Sequence, residues 1–197
     1  LNTGSYTISE NRPEVTGYNG QTGINGGTLS SNETVTGTVQ LGTDGTTVKV
    51  ENHYERTTHE LTVTKKVTWD RSKSKAPDAG DTYTVQVTIG NGGTAQKVTG
   101  LTVNNAGEKN ATYEFTLQKD QTATVQNVPY GVVYEVKETA VTNNGGGAYS
   151  TPTYTNANGT PTYTNANGTM ETSNVAVTVT NPYFLSETTT FTVNKKW

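Results

Sequence analysis

Cysteine is absent from these 197 residues, which excludes disulfides, the usual staple of a thin-cored extracellular domain. Apolar side chains are also scarce. Hydrophobic residues make up 30%, and adding glycine still leaves the share below the roughly 45–50% of ordinary domains. No apolar stretch approaches the roughly 18 residues of a membrane span. No signal peptide or anchor signal is present either, so the sequence is silent on export and attachment. An excess of basic residues is missing: net charge is −3, which offers no nucleic-acid surface. No phosphate loop and no nucleophile–His–acid set stands out. The only histidines, His53 and His59, are six apart with no further ligand cluster, so neither a metal nor a cofactor is expected. The chain reads as a non-enzyme.

Thr, Asn, Val and Tyr dominate instead, a mixture that suits strands with polar outer faces. Alternating segments occur at 61–69, 82–89, 96–103, 112–117, 122–128, 133–139 and 174–181, separated by turn-rich stretches such as 72–81 and 104–110. About seven short strands at this spacing predict an all-β, immunoglobulin-like antiparallel β-sandwich.

Three polar residues stand where apolar side chains belong. Successive strand residues face opposite sides, so residues of equal parity share a face. Lys65 shares parity with Leu61, Val63 and Val67; Glu138 with Tyr134 and Val136; Asn181 with Val175, Val177, Val179 and Tyr183. Each strand thus aims an amine, a carboxyl or a carboxamide into a hydrophobic interior, where an isolated ion is costly. Together they supply the groups of a Lys–Asn amide crosslink. Lys66 has the opposite parity and is the solvated rival, although a β-bulge would exchange the two lysines.

The trio recurs in part. YTISEN (6–11) resembles YEVKET (134–139), VKVENHY (48–54) resembles VTVTNPY (177–183), and FTVNKKW (191–197) resembles LTVTKKV (61–67). The offsets from Glu10 to Glu138, Asn52 to Asn181 and Lys65 to Lys195 are 128, 129 and 130, which marks a tandem repeat. Residues 59–186 form the complete repeat. Residues 1–58 read as the C-terminal part of a preceding one, and 187–197 as the first strand of a following one. Linkers as short as 54–60 favour repeats arranged end to end. Glu10 and Asn52 would meet a lysine from before this segment, and Lys195 an acid and amide from beyond it. The nonapeptide TPTYTNANG occurs twice, at 151–159 and 160–168, and reads as a tolerant surface loop or hairpin extension.

YEVKETA (134–140), LTVTKKV and VTVTNPY resemble the E-box, lysine strand and asparagine strand of the B-type repeats of collagen-adhesin-like proteins and of the major pilins of Gram-positive bacteria. The resemblance covers nearly the whole chain. It departs from the family in a Gly-rich insert (143–147) after the E-box and in the lack of a clear pilin lysine motif. It implies an autocatalytic intramolecular isopeptide bond with Lys65 as nucleophile, Asn181 as electrophile and Glu138 as catalyst; Glu10, Asn52 and Lys195 would serve the flanking repeats in the same roles. Glu138, protonated, is expected to hydrogen-bond the carboxamide oxygen. The implied setting is extracellular, on the cell wall of a Gram-positive bacterium. The implied role is a stalk repeat of a surface adhesin, with neighbouring repeats as partners. A sortase-assembled pilus backbone is one alternative. Another is a module that binds a host surface protein or glycan through the Tyr-rich loop 149–165.

Overall fold

In a computed structural model, residues 2–90, 95–98, 102–104, 111–156, 159, 161–185 and 192–196 are described. Every regular element among them is a strand, and no helix is long and apolar enough to cross a membrane. The chain divides into two compact units, Leu1–Thr57 and Thr58–Trp197.

Among the described residues the second unit carries eleven strands: β5 (Thr58–Thr68), β6 (Thr82–Ile89), β7 (Ala95–Val98), β8 (Thr102–Asn104), β9 (Ala111–Leu117), β10 (Thr122–Pro129), β11 (Val133–Thr142), β12 (Ala148–Tyr149), β13 (Thr153–Asn156), β14 (Ala166–Thr169) and β15 (Val175–Phe184). One sheet runs β12-β15-β5-β10-β8, with β13 also on β15; the other runs β14-β11-β6-β9-β7. Strand β6 shows why these segments pair. Its TYTVQVTI sequence alternates half-buried and buried along its whole length, so Tyr83, Val85, Val87 and Ile89 all face inward with no exposure. Val85, Val87 and Ile89 meet Leu61, Val63, Val177 and Val179 of the facing sheet in one core cluster. A second cluster is built on Val67, Tyr83 and Tyr183, with Trp69 packed against it.

The first unit holds β1 (Gly4–Asn11), β2 (Tyr18–Ile24), β3 (Thr34–Leu41) and β4 (Val50–Arg56), paired as two separate antiparallel ribbons, β1-β3 and β2-β4. The ribbons match pairs in the second unit. Tyr6 pairs with Val39 as Tyr134 pairs with Gly168, and β2 flanks β4 as β13 flanks β15. The unit is ordered, but its interior is thin. Among its described residues Val39 is the one buried hydrophobic side chain, and Val50 of VKVENHY is 38% exposed where Val179, at the same place in VTVTNPY, is fully buried.

The described residues are all-β as expected, but finer expectations change. The sheets are not wholly antiparallel: β15 pairs with β5, β8 with β10 and β7 with β9 in parallel. Alternation reports which face a residue takes, not strand direction, and widely separated segments can meet in either sense. For the same reason the single strand expected at 96–103 is two strands in different sheets. The duplicated nonapeptide is not a uniform surface loop. Its first copy supplies β13 and a buried Tyr154, whereas Tyr163, at the same place in the second copy, is 68% exposed. The second copy carries the chain across to β14 in the opposite sheet, so its tyrosine has no core to enter. Of the segment 187–197, residues 192–196 are exposed and carry no strand, and the rest lies outside the described residues. In the second unit the strand of similar sequence, β5, gains its neighbours, β10 and β15, from later sequence.

Identical local sequence with opposite burial gives a direct test. Tyr154→Ala should destabilise by about 3–5 kcal/mol, as large buried aromatics do. Tyr163→Ala should stay within about 0.5 kcal/mol of the parent. Urea denaturation of the two variants measures both.

Candidate functional site

Parallel pairing of β5 with β15 sets the site. Val179 stands opposite Lys65, and Asn181 opposite Val67, so the lysine and asparagine side chains enter the interior side by side. Glu138 comes from β11 in the facing sheet, opposite Val85. In chain order each polar residue lies between the two hydrophobic clusters: Lys65 between Val63 and Val67, Asn181 between Val179 and Tyr183. The trio is therefore a polar layer across the core.

The contacts are close and dry. Lys65 Nζ lies 2.5 Å from Asn181 Oδ1, and also donates to the carbonyls of Lys66 (2.8 Å) and Val179 (3.2 Å). Asn181 Nδ2 donates to Glu138 Oε1 at 2.7 Å. Glu138 Oε2 stands 3.5 Å from the amine, and the two side chains are 0% and 4% exposed for lysine and glutamate. Lys66 points outward and meets Asp120 at the surface; parity separates the two lysines without a bulge. Glu138 differs from expectation in one respect. It holds the carboxamide nitrogen rather than the oxygen, because the oxygen is taken by the lysine amine.

Burial pulls the Lys65 ammonium down from 10.5 to about 8, with the Glu138 charge and hydrogen bond opposing the drop. Burial also raises the Glu138 carboxyl above its usual value, with the lysine charge and the Asn181 amide opposing. Both groups are thus driven toward neutrality, which one proton passed between them achieves.

Side chains outside the predicted trio hold it in place. The Glu138 backbone N–H donates to the Tyr154 hydroxyl at 2.9 Å. The Tyr83 ring stands 4.3 Å from the lysine amine. The Gly-rich insert has a steric reason: a Cβ on Gly147 would collide with the Tyr183 ring. Tyr83 was legible, since it shares the inward parity of Val85 and Val87; Tyr154 was hidden by the duplication.

In the first unit, Asn52 Nδ2 donates to Glu10 Oε1 at 3.1 Å, so the structure brings this acid and amide together. The amide oxygen accepts the Thr22 hydroxyl at 2.6 Å, in the position that the lysine amine holds at Asn181. Asn52 is exposed and Glu10 half-buried. Lys195 lies in the exposed segment 192–196.

A two-sheet, all-β domain with a lysine, a carboxyl and a carboxamide meeting in its interior is the class defined by fold and site. The chain belongs to the family described as a domain of unknown function (DUF7601), which matches residues 59–183. A comparison with curated proteins finds no match. Among solved structures the chain resembles the major pilin protein T3.2 from Streptococcus pyogenes, with 16% identity over 91% of this chain and 67% of that one and a TM-score of 0.48. It also resembles an adhesin from Mobiluncus mulieris described as containing intramolecular disulfide, isopeptide and ester cross-links, with 21% identity over 68% and 45% of the two chains and a TM-score of 0.41. A third is the pilus-presented adhesin Spy0125 (Cpa), at 19% identity over 64% and 27% with a TM-score of 0.39. In these two adhesin matches this chain spans less than half the length of the other chain. The likeness is one of fold.

The burial of Lys65 predicts an effect that does not depend on crosslinking. Glu138→Ala strands the amine without its acid, whereas Lys65→Met with Glu138→Leu replaces the pair by apolar groups. Neither variant holds the full trio. At pH 7 the double variant should be the more stable by about 3–5 kcal/mol. Because the folded amine titrates below its unfolded value of 10.5, the unfolded chain binds the extra proton, and the gap should shrink as pH rises toward that value. Denaturation at several pH values measures it.

Proposed function

We propose that this chain is part of a self-crosslinked stalk of repeats on the surface of a Gram-positive bacterium. Residues 59–186 are one complete repeat, residues 1–58 the C-terminal part of the one before, and 187–197 the start of the next. The observation that carries this reading is the buried contact of the Lys65 amine with the Asn181 carboxamide, 2.5 Å apart, with the Glu138 carboxyl against the same amide.

Only a neutral amine attacks. With its proton on Glu138, Lys65 Nζ adds to Cγ of Asn181. The Nζ–Cγ bond forms, the Cγ–Nδ2 bond breaks, and Glu138 relays the proton lost by Nζ to Nδ2. Its contact with that nitrogen places it to do so. Ammonia leaves and a secondary amide remains. The fold contributes proximity, worth up to about 7–11 kcal/mol of barrier. The event occurs once per repeat, so there is no turnover and no cofactor.

The bond would close a loop between residues 116 apart. By analogy with a disulfide closing a loop of about 100 residues, that stabilises by about 4–5 kcal/mol. The mechanical effect is larger. Because β5 and β15 are parallel neighbours, tension entering at Thr58 and leaving at Phe184 would shear them, and the bond carries that load past every strand between. A ligand-binding role for the loop 149–165 is less supported: Tyr154 is in the core and the Tyr149 hydroxyl is tied to Asp81, which leaves only Tyr163 exposed among its tyrosines.

Intact mass of the folded chain tests the reading. The chain should be lighter by one ammonia, and not two, because Thr22 rather than a lysine occupies the amide oxygen of Asn52. Lys65→Ala, Asn181→Ala and Glu138→Ala should each retain the ammonia, and Lys66→Ala should lose it like the parent. Since the reactive pair holds a single proton, the rate should follow a bell in pH. It should fall on the alkaline side near pH 8, where Lys65 titrates, and on the acid side at the raised pKa of Glu138. An unchanged mass in the parent chain would end the proposal.

A further inference from the structure

One buried carboxylate takes no part in the chemistry above. Asp81 is 2% exposed. Its Oδ1 accepts the Asn144 N–H at 2.6 Å, and its Oδ2 accepts the Tyr149 hydroxyl at 2.6 Å. Tyr149 has one hydroxyl proton, and the carboxylate takes it. Its oxygen is then left to accept, and the Tyr83 hydroxyl donates to it at 2.7 Å. The carboxylate thereby sets the direction of the whole chain. Burial pushes the Tyr83 phenol up to about 12, so it remains a donor. The two rings meet edge to face, 5.4 Å apart, and the Tyr83 ring faces the Lys65 amine at 4.3 Å. The same anchor reaches the other end of the reaction. Ser150 follows Tyr149, and its carbonyl accepts the Asn181 Nδ2 at 3.4 Å while its N–H donates to Pro182 at 2.9 Å.

We propose that Asp81, acting through the Tyr149 and Tyr83 hydroxyls, is a positioning residue for bond formation between Lys65 and Asn181. It fixes the ring that walls the amine on one side and the carbonyl that holds the departing nitrogen on the other. This rests on the crosslinking reading. Without the anchor the Tyr83 ring can turn and the amine gains room to leave the line of attack, and a displacement of about 1 Å can slow such a reaction by up to about 100-fold.

The test follows ammonia loss by intact mass after the full chain, recovered unfolded, is refolded by dilution. Tyr149→Phe and Tyr83→Phe, which keep the rings, should each slow the reaction about tenfold. Both should leave the alkaline limb of the pH profile near 8, the parent position. Asp81→Ala should slow it as much, and Asp81→Asn, which retains an acceptor for Tyr149, should recover most of the rate. Tyr183→Phe should react like the parent, since that ring packs on Tyr149 at 4.7 Å but its hydroxyl lies outside the chain. Circular dichroism in an Asn181→Ala background checks folding; if Asp81→Ala does not fold, the two Phe variants decide. Parent-like rates in both would overturn the inference and leave the crosslink intact. So would slower rates accompanied by a shift of the alkaline limb toward ordinary lysine, because that marks water entry rather than lost positioning. A parent chain that sheds no ammonia would overturn both.

Discussion

The second unit is organised around an amine that has been taken out of water. Lys65 is fully buried, and a lone ammonium there would be far more costly than any single contact could offset. The cost is met by four neighbours from two sheets: the amide oxygen of Asn181, the carboxyl of Glu138, and the carbonyls of Lys66 and Val179. Each in turn requires its strand to lie in one place. Asn181 is beside the amine only if β15 runs parallel to β5 in the observed register. Glu138 reaches it only if the second sheet closes over the first. Fold and site are thus one constraint. The polar layer splits the core in two, and the layer is complete only when all three strands are in register.

The paired but lysine-free acid and amide of the first unit show what that constraint does when one member is missing. Glu10 and Asn52 keep their contact, yet Asn52 is exposed and the apolar residues around it are only partly covered. The strands of that unit pair as two separate ribbons. The contrast between Val50 and Val179, which stand at the same place in the similar segments VKVENHY and VTVTNPY, isolates what the extra strands contribute.

Much of this was legible in the chain, because parity is a local property. Lys65, Glu138 and Asn181 all lie on the face that parity assigns, and so does Lys66 on the other. Asp81 shares the parity of Tyr83 and Val85, but it falls in a turn-rich stretch, where the alternation rule has no strand to act on. Parity fails across irregularities. The register shift after Glu138 turns Val141 toward the second hydrophobic cluster although its number is odd and that of Glu138 even. A similar shift lets Val125 and Val128 both be buried. Strand direction was hidden as well, since no residue pattern distinguishes β15 parallel to β5 from its reverse. The duplicated nonapeptide marks the limit most clearly. Two identical stretches take opposite environments, so what separates Tyr154 from Tyr163 is the position of the rest of the chain.

The nearness in space of residues 116 apart in sequence also bears on the life history of the molecule. A weld there converts a linear polypeptide into a ring with two tails. A ring cannot be threaded through a channel sized for an extended strand, so under the proposed function closure would have to follow passage. Once closed, a single cut by a protease anywhere inside the ring opens the circle without parting the tails. A surface filament made of such links would tolerate one nick per link before it lost continuity.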